Sequence, residues 1–161
     1  MSTLQMRAPA NPTFETTILV RDTCLCLHAQ RAARAIARRF DIVLKPVGIT
    51  SGQFSLLMSL NRPQPPNLSS VAALLAMDRT TLTANLKPLE RRRLAKTMAD
   101  PKDGRARLLR LTPDGRAVLA VAMPIWRHLH AEIEKELSDP DRLRTELNLL
   151  SKSDNCGSVA G

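Results

Sequence analysis

Two groups of side chains in this sequence have types and spacings that can do chemistry. One is thiol and imidazole. Cys24, Cys26 and His28 stand two apart, and His128 and His130 repeat the interval. Such sets can hold a metal ion or arm a nucleophile. On a helix, residues two apart point about 200° apart, so neither pair easily shares one ion. Cys24 and His28 share a face, but a structural zinc site takes four ligands. A Cys–His nucleophile also needs an orienting group and an oxyanion site, and no residues mark them. The chain has six glycines, no phosphate-cradling glycine loop and no His-Glu-x-x-His run. The reading is therefore no catalytic residue, no metal, no cofactor and no enzyme.

The second group is cationic. The chain carries 24 Lys and Arg against 15 Asp and Glu, a net charge of +9. Between Asp78 and Arg116 lie eleven basic and five acidic residues, so a quarter of the chain holds six of the nine excess charges. A merely solvated surface spreads its charge more evenly. This concentration favours duplex DNA over a membrane as partner. Aromatic residues are 2% of the chain, which argues against single-strand modules that stack bases on aromatic rings. Within the basic stretch, Thr80, Thr81, Thr83, Ala84 and Lys87 fall on one side of a helix whose other side carries Leu82, Leu86 and Leu89, and Arg79 near its N-terminus can add a phosphate contact. Short hydroxyl side chains allow close approach to base edges and phosphates in a major groove. The alternative is a plain polar helix surface. Further on, Asp103, Arg105 and Arg107 follow a turn. Arg105 suits a narrow minor groove, with Asp103 placed to hold its guanidinium; the alternative is a simple turn of mixed charge.

These residues need elements to position them. A chain of 161 residues, 43% apolar, suits one compact unit. Residues 1–15 read as a mobile arm. From Thr16 to about Val43 apolar residues recur at Leu25, Ala29, Ala32, Ile36, Phe40 and Val43, the stripe of one long helix. Lys45 to Gly48 breaks it. Thr50 and Gln53 have capping-box spacing for a helix to Leu60. Ser69 is placed to cap a helix over 70–76, and Asp78 one over 79–92. Two short helices so tightly joined have the spacing of a helix-turn-helix. Pro88 falls inside the second and predicts a kink or an early end. Residues 94–99 and 106–111 flank Asp-Pro-Lys-Asp-Gly-Arg and read as a β-hairpin. Thr112-Pro113-Asp114 starts a helix to about Leu137, and Asp139-Pro140-Asp141 another to about Leu150. Residues 151–161 read as a flexible tail. No apolar run approaches the roughly 20 residues a spanning helix needs. Three cysteines and no secretory leader point to a reducing, cytoplasmic setting.

The stretch from Leu68 to Arg92, with Asp100-Pro-Lys-Asp-Gly-Arg and Leu111-Thr-Pro-Asp-Gly115, resembles the winged helix-turn-helix core of MarR-type transcription regulators. The similarity covers about residues 16–150. It implies a mainly α winged helix (α+β), with dimerisation helices over 16–46 and 113–150 around a DNA-binding region over 47–112. It implies a homodimer on a pseudo-palindromic operator, most often a repressor, and in many relatives release by a small aromatic or phenolic ligand. It places Arg79 to Lys87 on the recognition helix and Asp103 and Arg105 on the wing. Leu25-Cys26-Leu27 with Arg34 looks like the peroxide-sensing branch, which makes Cys26 a candidate redox residue, and Cys24 a lesser one. That branch uses tyrosines, and this chain has none; the alternative is a small side chain packed at the dimer interface. Arg93 stands where relatives carry a helix-ending Gly, and Ala84 where many carry a basic residue. A non-specific architectural DNA binder is a third reading, distinguished by a flat dependence on DNA sequence.

Overall fold

The computed structural model describes residues 11–152, which fall into two compact units that meet at Ala37 and Arg38. In the first unit, α1 (Phe14–Thr23) is capped by Thr13, whose hydroxyl accepts the Thr16 N–H. It is followed by α2 (Leu25–Leu44), which continues past the unit boundary. The single long helix expected from Thr16 is thus two, and α1 begins within the stretch read as an arm. The break is at Cys24, in extended geometry (φ −71°, ψ 106°). Its N–H closes α1 on the Val20 carbonyl, its carbonyl accepts from His28, and its Sγ accepts the Leu27 N–H at 3.4 Å as a cap would. Cys24 therefore ends one helix and starts the next without Gly or Pro. The expectations for residues 1–10 and 153–161 lie outside the described residues.

The second unit holds the core. A 3₁₀ turn (Lys45–Val47) ends at Gly48, whose φ of +74° is the left-handed region glycine enters freely. α3 (Ser51–Ser59) starts with a complete Thr50–Gln53 capping box. α4 (Leu68–Leu74) is capped by Asn67, not Ser69: the Asn67 Oδ1 accepts the Ser70 N–H at 2.8 Å. α5 (Arg79–Arg91) is capped by Asp78 and runs past Pro88 to Arg91. β1 (Ala95–Ala99) and β2 (Arg107–Leu111) pair antiparallel, with Ala95 opposite Leu111 and Ala99 opposite Arg107. The loop before α4 docks on β2, since Leu109 donates its N–H to the Pro66 carbonyl. α6 (Pro113–Lys135) and α7 (Pro140–Lys152) complete the chain. α7 extends into the stretch read as a tail, with its first turn fastened by the Arg142 N–H on Asp139.

The buried leucines Leu44, Leu56, Leu57, Leu82, Leu89 and Leu109 bring α2, α3, α5 and β2 around one interior. Each such side chain contributes about 1.5–3 kcal/mol relative to exposure. Three local features fix the hairpin to its neighbours. Thr112 Oγ1 donates toward the Arg93 and Leu94 carbonyls and accepts the Gly115 N–H. Gly115 permits this: a Cβ there would lie 2.1 Å from the Leu94 oxygen. Arg93 takes φ +58°, so α5 ends in the left-handed turn that a glycine would make more cheaply, by roughly 1 kcal/mol. Finally, Glu90 Oε1 accepts both the N–H and the hydroxyl of Thr97, at 3.0 and 2.6 Å, and so ties α5 to β1.

Candidate nucleic-acid interface

α5 hides Leu82, Leu86 and Leu89 on one side. At about 100° per residue, Thr80, Ala84, Lys87 and Arg91 fall on the opposite side, with Thr81 and Thr83 at its edges. All six are exposed, as is Arg79 at the first turn. Arg91 was not among the residues the sequence reading selected, although its position eleven after Thr80 on the same face is the signal that marks it. The threonine hydroxyls differ. Thr81 Oγ1 donates to the Asp78 carboxylate at 2.7 Å, and Thr83 Oγ1 donates to the Arg79 carbonyl at 2.7 Å. These two hydroxyl protons are thus taken up within the helix, whereas among the described residues no such bond holds the Thr80 hydroxyl. The Thr81 N–H and hydroxyl hold the Asp78 carboxyl below its ordinary range, because both bond its charged form.

The hairpin tip is exposed from Pro101 to Arg105. Asp103 does not hold the Arg105 guanidinium. Its carboxylate instead accepts the Arg105 backbone N–H at 3.0 Å, and its carbonyl accepts the Ala106 N–H. A short Asp side chain two residues back reaches its own turn more readily than a long side chain's end. The turn is thereby shaped, and the guanidinium is left to solvent. Arg107 opens β2 and is also exposed.

The electrostatics follow from what is unpaired. Every ion pair among the described residues lies outside residues 78–116. Of the basic residues in that stretch, Arg92 has a structural bond, from Nη1 to the Gly48 carbonyl at 2.6 Å. The face is thus a field of uncompensated cations around α5 and the wing, a suitable surface for phosphates.

The thiol and imidazole residues are placed elsewhere. Cys24 is half-buried at the helix break, so the helical spacing used to separate it from Cys26 does not apply. Cys26 is exposed on α2. Gln30 Nε2 donates to its Sγ at 3.2 Å, and Arg34 donates to Gln30 Oε1 at 2.9 Å. His130 stacks on Trp126, with ring centroids 4.5 Å apart. Among the described residues no three His, Cys, Asp or Glu side chains converge as a metal site would need. No helix among them is long and apolar enough to cross a membrane. An open, mainly apolar cleft lies against α6, lined by Met58, Asn61, Arg116, Leu119, Ala120 and Met123.

Comparison with known proteins agrees with this geometry. A family model described as a winged helix DNA-binding domain matches residues 49–115. The solved structure of the Mycobacterium tuberculosis transcriptional regulator MosR in complex with DNA is similar at 36% identity. That match covers 81% of this chain and 95% of the other, with a TM-score of 0.75. A mutant of Escherichia coli MarR solved with operator DNA is 25% identical, covering 84% and 96% of the two chains, with a TM-score of 0.70. BadR of Rhodopseudomonas palustris, described as a transcriptional activatory protein, is 34% identical over 112 residues, which are 67% of this chain and 64% of BadR.

Proposed function

This chain belongs to the MarR family of winged-helix, DNA-binding transcriptional regulators, and from that premise we propose that it acts as a homodimeric repressor on a pseudo-palindromic operator. The observation that carries the reading is the unpaired cationic surface on which α5 and the wing stand together. In this proposal Thr80, Thr81, Thr83, Ala84 and Lys87 face base edges in the major groove. Arg79 and Arg107 meet phosphates, Arg105 enters the adjacent minor groove, and Asp103 shapes the turn that carries it. Residues 47–112 form the reader.

The dimer is supported by apolar side chains that one chain leaves exposed on helices at both its ends. They include Phe14, Leu19 and Leu25 near one end and Leu143, Leu147 and Leu150 near the other. Exposed apolar side chains of this kind mark an interface. We assign dimerisation to residues 16–46 and 113–150. Two readers on one duplex then sit about one helical turn apart, roughly 34 Å. The setting is the cytoplasm, and the cleft lined by Met58, Leu119 and Met123 is the place for a small aromatic or phenolic effector.

The test is competition between duplexes. Genome-wide mapping supplies the bound site, and labelled site DNA is competed with random DNA at fixed salt. The proposal expects a preference of about 10³ or more with two protomers per site. A flat response identifies an architectural binder instead. A promoter reporter decides the sign of control, and loss of expression on deleting the gene would contradict repression. A second reading has its own observation, the Arg34–Gln30–Cys26 chain. The Gln30 amide holds the sulfur, Arg34 holds the amide, and the thiol is exposed where peroxide can reach it. If it senses oxidant, peroxide releases DNA from the wild type and not from Cys26→Ser.

A further inference from the structure

Three arginines from three elements line one concavity beside the wing. Arg62 comes from the turn after α3, Arg110 from β2 and Arg116 from the first turn of α6, with Leu60, Pro63 and Pro65 in the walls. The cavity is small, about 60 Å³. No Asp or Glu lines it, and among the described residues none of the three guanidiniums is ion-paired. The strand register adds to the imbalance, because Lys96 stands directly across the hairpin from Arg110. Like charges opposite one another destabilise a strand pair. Arg110 alternates with the buried Leu109 and Leu111, so it stands on the hairpin face turned away from Thr97 and its bond to α5. The prolines stiffen the wall on which Arg62 sits.

Guanidinium groups present forks of N–H donors that fit oxyanions in pairs. A bound anion would remove the repulsion that the sequence leaves uncompensated here. We propose that Arg62, Arg110 and Arg116 form an oxyanion site for a phosphate group, separate from the recognition helix. The phosphate comes from a free phosphate-bearing molecule or from a DNA backbone beside the wing; the chemistry is the same, and the test separates the sources.

The full chain is used, as wild type, Arg62→Gln, Arg110→Gln and the exposed surface control Arg127→Gln. Thermal unfolding is followed in pyrophosphate and in sodium chloride of matched ionic strength. The salt slope of duplex binding is measured for the same four proteins. A site for free phosphate gives a pyrophosphate-specific rise in Tm in the wild type and Arg127→Gln that both pocket variants lose. A site for backbone phosphate lowers the salt slope of the pocket variants by about one per protomer and spares the control. The proposal is overturned if pyrophosphate acts as chloride does, or acts equally on all four proteins, while the four slopes agree. The thermal arm contains no DNA, so its result stands apart from the operator reading.

Discussion

The winged helix and the helices that flank it use the same residue types in opposite ways. Outside residues 78–116, several cations find carboxylates: Arg39 with Glu136, Lys135 with Glu132, Arg142 with Glu146, and Arg144 with both Glu134 and Asp141. Inside it, among the described residues, none does. Apolar side chains reverse the pattern. α5 buries its leucines, while α1 and α7 leave theirs exposed, as α2 does Leu25 at its first turn. One region shows charge and hides its apolar surface, as a phosphate binder must. The other pairs part of its charge and shows apolar surface, as the proposed self-association requires. The division of labour is thus written in how side chains are paired, more than in composition alone.

The comparison can be broken at its joint. Gly115 lets α6 start against Leu94, and Gly115→Ala forces a Cβ into that carbonyl. The expected loss exceeds about 3 kcal/mol, read by denaturant unfolding, and DNA binding falls with it. Arg105→Ala attacks one region alone. It weakens binding to the mapped site by about 1–3 kcal/mol, while the melting temperature and the oligomeric state stay as in the wild type. Glu90→Ala loosens the tie between recognition helix and wing. It costs about 1.5 kcal/mol of stability and lowers site preference more than random-duplex affinity, measured by paired titrations. Arg142→Gln cuts an exposed pair of the other region and changes stability by no more than about 0.5 kcal/mol, with DNA affinity unchanged. The smallest effect is on pH dependence. Because the folded state holds the Asp78 carboxyl below its ordinary range, its contribution is present above the unfolded-state range and fades as pH falls through the depressed value. Acid titration of Asp78→Asn should therefore show a shallower loss than the wild type.

Much of this architecture was legible because short-range hydrogen bonds decide it. Thr50–Gln53, Asp78 and Thr112–Pro113 are helix starts in sequence and in structure, since a cap needs only its own next three residues. What escaped depends on partners or on equivalent local choices. Asn67 and Ser69 are both good caps, and the choice falls to Asn67, whose backbone bridges β2 at Leu108. Cys24 breaks a helix with a thiol cap, a signal too weak to read among helix formers. Asp103 was assigned to a side chain when its own backbone lay closer. The Glu90–Thr97 tie joins residues seven apart that only the α5–β1 turn brings together. At the reader, the face of α5 is visible in its 3.6-residue period, and Arg91 lies on that face one turn beyond Lys87, past Pro88.

The central claim is that the reader's cations are held free for phosphate, and the salt dependence of duplex binding tests it most directly. Log affinity for the mapped site and for random duplex is plotted against log salt. The account predicts steep parallel lines, each corresponding to on the order of six or more phosphates per dimer, with the mapped site higher throughout. Binding that barely responds to salt, or two lines that coincide, would contradict it.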